Sequence, residues 1–169
     1  MDIKIKNRTH YIVSGSVIAA IYVALTFISS AFGLAYGPIQ FRLSEALCVL
    51  PVFTPAAIGG LTVGCLISNI FSFNMIDMLF GTAATLTAAL LTRFLSKNEL
   101  KFPILPILPP VIINGIVIGL ELAIFYATDK TFWIAFLYNA FTVAIGEATV
   151  LLVLGVPLFY ALKKRNISI

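Results

Sequence analysis

The chain has 169 residues, of which 60% are hydrophobic and 11% charged, against roughly 25% charged in an average soluble domain. With a mean hydropathy of +1.06, it carries more apolar surface than a soluble fold of this length can bury. The composition therefore excludes a soluble protein and points to an all-α integral membrane protein with one domain, residues 1–169. The net charge of +4 does not mark nucleic-acid binding, because the basic residues flank apolar runs, as they do at a membrane surface.

The first apolar run, residues 11–32, is too long for the h-region of a signal peptide and has no convincing cleavage site, so it reads as a retained span. It carries Ser16, Ala20 and Ala24 at four-residue spacing, with Gly15 and Ala19 alongside. Such a small-residue row lets another helix approach closely, from a partner or from the same bundle. A turn over residues 33–40, with Gly37-Pro38, leads to a second helix, residues 42–53. It is short, and therefore tilted or only partly crossing. Thr54-Pro55 opens the third helix, which reaches about residue 71, proline being suited to a first helical turn. A polar break over residues 72–76 precedes the fourth, 77–95, which Asp77 is placed to cap. A charged loop, 96–102, and a proline-rich entry (Pro103, Pro106, Pro109, Pro110) lead to the fifth, ending near residue 126. After an Asp129-Lys130 turn the sixth runs over residues 131–162. There is no internal repeat. Cys48 and Cys65 fall inside spans without metal-ligand spacing and read as small buried residues. His10, at the membrane edge, is given no role.

Six transmembrane helices put both termini on one side. Lys4, Lys6, Arg8, Arg93, Lys97, Lys101, Lys163, Lys164 and Arg165 then share that side, and only Arg42 and Lys130 lie opposite, nine of the 11 basic residues against two. By the positive-inside rule both termini are cytoplasmic.

This topology places most intramembrane polar groups in the outer half: Arg42, Glu45, Asn69, Asp77, Glu121, Trp133, Tyr138 and Asn139. Glu147 is deeper, roughly 22 Å along the sixth helix from Phe132 at 1.5 Å per residue. A proton or ion conduit needs polar groups through the full thickness, whereas an outward-facing binding cup needs them clustered. Asn114 and Glu121 share one helix face, as do Asn139, Val143 and Glu147, which marks them as inward-facing. A carboxylate in hydrocarbon costs about 2.5 kcal/mol or more, so four of them imply use. Simpler roles exist for several: Asp77 as a helix cap, Arg42 and Glu45 as an interfacial ion pair, Asn69 as interhelical glue, Trp133 and Tyr138 as interface-belt aromatics. Glu121 and Glu147 have no basic residue in their spans to pair with both. The candidate binding residues are therefore Glu121, Glu147, Asn114, Asn139, Asn69, Asp77, Trp133, Arg42, Glu45 and Tyr138.

The stretch Phe41-Arg42-Leu43-Ser44-Glu45-Ala46-Leu47, with Leu50-Pro51 and Phe53-Thr54-Pro55-Ala56-Ala57-Ile58, resembles the QueT family of queuosine-precursor transporters. Gly64-Cys65 with Asn69, Asp77 with Phe80-Gly81, and Ala84-Thr85-Leu86 continue the resemblance, which is densest over residues 40–92. The family implies a six-helix substrate-binding (S) component of an energy-coupling factor (ECF) transporter in a bacterial cell membrane. Such a component works with a transmembrane coupling protein and two ATPases. It has no cofactor of its own, ATP being used by the partners, and it carries its ligand inward by toppling. The resemblance places Ala20 and Ala24 on the face that docks the coupling protein, in the row that begins at Ser16. The implied ligand is a 7-deazaguanine: preQ1, preQ0 or queuine. Carboxylates accept from its guanine-like edge, Asn or Arg42 donates to its carbonyl, Trp133 offers a platform, and a second carboxylate suits the amine of preQ1. Glu121 or Glu147 would read the edge; the assignment between them stays open.

The alternatives are an S component for another vitamin or nucleobase, a stand-alone ion-coupled carrier and a small membrane enzyme. No nucleophile–base pair, histidine cluster or metal-ligand spacing supports the enzyme, and no Walker A loop supports ATP hydrolysis by this chain.

Overall fold

The first helix, α1, spans Asp2–Ala31, starting well ahead of residue 11 because the polar lead contains neither glycine nor proline to stop it. The structure, a computed structural model, describes residues 2–35, 40–71, 75–96, 104–125 and 132–165, with side chains from residue 8 onward. The expected Gly37-Pro38 turn, residues 72–74 of the polar break, the loop bearing Lys97 and Lys101, Pro103 and the Asp129-Lys130 turn lie outside the described residues. So do the side chains of Lys4 and Lys6.

The second expected helix is a 3₁₀ helix, Leu43–Val52, with Pro51 inside it. Its 10 residues, at about 2 Å of rise each, reach about 20 Å, short of the roughly 30 Å of bilayer hydrocarbon. Its side chains are buried from Ser44 through Pro51, and it packs against every other helical element. Tyr22, Val49, Leu61, Leu151 and Phe159 form the core around it.

Four further α-helices follow: α2 (Ala56–Phe71), α3 (Met75–Leu95), α4 (Ile104–Phe125) and α5 (Phe132–Val150). Successive helices from α1 to α5 are the main packing partners, so they wrap the 3₁₀ helix in chain order. A π-helical turn, Leu151–Gly155, joins α5 to α6 (Val156–Lys164), making one rod, Phe132–Lys164, of 33 residues. Pro157, near the start of α6, lacks a backbone donor and crowds the carbonyl four residues back, which accounts for the widened turn.

Arg8–Ala31, Met75–Leu95, Ile104–Phe125 and Phe132–Lys164 are each long and apolar enough to cross a membrane, while Leu43–Val52 and Ala56–Phe71 are shorter apolar helices. Ile12, Phe94, Leu137 and Leu152 are among many large apolar side chains left exposed, as lipid contact requires. The chain is thus an all-helical, multi-pass membrane protein among its described residues.

One end of the bundle collects basic groups. Arg93 donates to the carbonyls of Pro51 (3.2 Å) and Val52 (3.0 Å), the orphan acceptors at the end of the 3₁₀ helix. Phe53 packs on Phe159, over which Lys163 lies. Tyr11 donates to the Pro55 carbonyl at 3.2 Å, bringing the start of α1 to the same end.

Candidate functional site

Arg42 precedes the 3₁₀ helix in an extended conformation, φ −85° and ψ 108°. That backbone throws its side chain clear of the helix, so it does not pair with Glu45 three residues on. Its Nη2 donates to Asp77 Oδ2 at 2.9 Å and its Nε to the Ala35 carbonyl at 3.1 Å. Asp77 lies within the first turn of α3, which begins at Met75, so its carboxylate serves as a partner for Arg42 where a cap was expected. Asn69 on α2 donates to the Asp77 carbonyl at 3.0 Å, tying α2 to α3.

Glu45 is held from two sides. The Tyr22 hydroxyl donates to Oε1 and the Cys48 thiol donates to Oε2, the latter at 3.0 Å. Glu147 reaches the same place from α5: one ligand atom each of Glu45, Cys48 and Glu147 lie within 4.8 Å of one another. The Asn114 amide on α4 interacts with the Glu147 carboxylate, whose Oε1 has no hydrogen-bond partner among the described residues.

These side chains surround a cavity with a polar lining of Gln40, Arg42, Glu45, Thr85, Asn114 and Glu147. Ile118 and Val143 supply apolar wall. Gly146 lets the Gln40 backbone cross directly against α5, a contact that any Cβ would block. The cavity is contracted, with about 20 Å³ of free volume, about what one water molecule needs.

The structure thus gathers Arg42, Glu45, Asn114 and Glu147 at one cavity, with Asp77 and Asn69 bracing Arg42. Glu121 is buried on α4 and interacts electrostatically with Asp77 and Arg42. It stands off the cavity lining because seven residues separate it from Asn114, about 10 Å of helix. Trp133 and Tyr138 do not line the cavity; they are 65% and 55% exposed. Trp133 lies about 21 Å along α5 from Glu147, and Tyr138, nine residues away, falls on the opposite face. Asn139 is half-buried and outside the lining, its carbonyl accepting from Thr142 at 3.0 Å. Sequence reasoning missed Gln40, Thr85 and Cys48. For Cys48 the available signal was its position three residues after Glu45.

Ser16, Ala20 and Ala24 are exposed on α1 and line an open groove with Val23, Phe27 and Val63. Ala19 lines the same groove, while its backbone and Gly15 pack against α2. The small-residue row is therefore shared between the α2 seam and the open groove.

Buried carboxylates converge on a cavity inside a multi-pass bundle, and ionisable groups at that depth are the first candidates for a functional site. The chain belongs to the QueT transporter family, which it matches over residues 12–164. It is 40% identical over 97 residues to a Lactococcus lactis subsp. cremoris (strain MG1363) protein named "Queuosine precursor transporter QueT". That match covers 57% of this chain and 54% of the relative, so it spans about half the length of the curated relative. No solved structure matches the chain.

Proposed function

We propose that this protein is the substrate-binding component of an ECF-type importer in a bacterial cell membrane and captures a 7-deazaguanine precursor of queuosine: queuine, preQ1 or preQ0. The observation that carries the reading is the cavity between the 3₁₀ helix, α3, α4 and α5, whose polar lining matches such a base. A deazaguanine edge presents adjacent N–H donors that a carboxylate accepts in pairs, and its carbonyl oxygen takes a donor such as Arg42 or Asn114. Membership of the QueT transporter family supports the same substrate class.

The contracted cavity cannot hold a bicycle without movement, so ligand entry separates side chains of α4 and α5 from the 3₁₀ helix. In this reading the six helical segments act as one unit across the membrane, with both termini cytoplasmic. The exposed Ser16–Ala20–Ala24 row docks a transmembrane coupling protein. Two partner ATPases supply ATP hydrolysis, the protein topples to release its ligand inward, and it performs no chemistry on the base.

Uptake of labelled queuine by cells expressing the protein with its coupling module tests the reading. Uptake is expected to require the partners and to collapse on ATP depletion. Uptake by the protein alone, lost with an uncoupler, identifies an ion-coupled carrier and overturns the proposal.

A further inference from the structure

Among the described residues, the buried charged groups are Arg42, Glu45, Asp77, Glu121 and Glu147, one cation against four carboxylates. The Arg42 guanidinium donates to Asp77 and to the Ala35 carbonyl. Glu45 and Glu147 come together on the cavity lining, with ligand atoms within 4.8 Å including the Cys48 sulfur. Two carboxylates at that separation inside a membrane repel unless a proton or a cation lies between them. A second observation points to what the space is for. Glu147 is 6% exposed, lines the cavity, and keeps Oε1 without a hydrogen-bond partner among the described residues. Glu45 is meanwhile oriented from behind by the Tyr22 hydroxyl and the Cys48 thiol, and a carboxylate has about four lone-pair sites, so acceptor capacity remains.

We propose that Glu45 and Glu147 form a clasp for a protonated amine on the ligand, and that this clasp selects an aminomethyl-bearing base over an uncharged nitrile analogue of the same ring. The inference rests on the deazaguanine reading above and adds which side chains take the amine. An ammonium brings three donors and no acceptor. Glu147 Oε1 and a Glu45 oxygen take two of these donors, and the Asn114 carbonyl oxygen or the Thr85 hydroxyl on the same lining takes the third.

The test compares 7-aminomethyl-7-deazaguanine with 7-cyano-7-deazaguanine by calorimetry on the purified full-length protein in detergent. The amine is expected to bind tighter by roughly thirtyfold or more, as for a buried, hydrogen-bonded charge pair. Glu147→Gln is expected to narrow that preference to about threefold or less, by weakening the amine far more than the nitrile. The wild-type comparison stands without the variant should the variant fail to fold. Equal wild-type affinities overturn the clasp and leave the deazaguanine reading intact; binding of neither base removes both.

Discussion

Asp77→Leu leaves the Arg42 guanidinium buried against Ala35 without its carboxylate partner. The pair is separated by 2.9 Å, and at an effective dielectric near 20 its attraction is about 6 kcal/mol before desolvation. Breaking a buried pair by removing one member costs about 3–5 kcal/mol. Glu45 and Glu121 also act on Arg42, which brings the expected loss to the lower end, about 3 kcal/mol. Arg42→Met removes the cation from Asp77 Oδ2 and the donor from the Ala35 carbonyl, for a similar total. The double variant leaves neither charge exposed to hydrocarbon. It is expected to lose about 3 kcal/mol or less, against about 6 for the sum of the singles. Reversible unfolding of the four proteins in mixed detergent–SDS micelles measures the cycle. Additive losses, with the double variant as unstable as the two singles combined, refute an ion pair that holds the start of the 3₁₀ helix to α3.

Glu147→Gln should lose well over tenfold in affinity for a deazaguanine, because a buried acceptor becomes partly mismatched; Glu121→Gln, off the cavity lining, should lose less. A titration showing wild-type affinity for the Glu147 variant removes that residue from the pocket. Gly119→Ala should cost about 1–3 kcal/mol in the same unfolding assay, since an added Cβ would sit 2.7 Å from the Ala140 Cα at the α4–α5 seam; unchanged stability means the seam is looser than described. Ala24→Leu, or Ala20→Leu, should keep ligand binding and abolish uptake with the coupling partners, and normal uptake by either variant rejects the docking face.

The helical segments and the inward direction of the carboxylates were legible in the sequence, because apolar periodicity and the cost of a charge in lipid act locally. Pairing was not. Arg42 and Glu45 are three apart and look like a pair, yet the extended backbone at Arg42 sends its side chain to Asp77, 35 residues away, and leaves Glu45 to Tyr22, 23 residues away. The 3₁₀ geometry of Leu43–Val52 was hinted at only by its shortness and by Pro51. The aromatics on α5 show the opposite failure. Trp133 was expected as a platform and Tyr138 as a further lining residue, but height along the helix and its 3.6-residue turn put both outside the cavity. Which of the small residues on α1 meet α2 likewise depended on where α2 lies, since periodicity alone gives two adjacent stripes and no neighbour.

A calorimetric or thermal-shift titration of the purified protein, alone in detergent, with queuine, preQ1, preQ0, guanine and riboflavin tests the binding reading most directly. Saturable stabilisation by a deazaguanine, with none from riboflavin, is the expected result. Stabilisation by riboflavin, or no response to any of the five, contradicts a cavity built for a queuosine precursor.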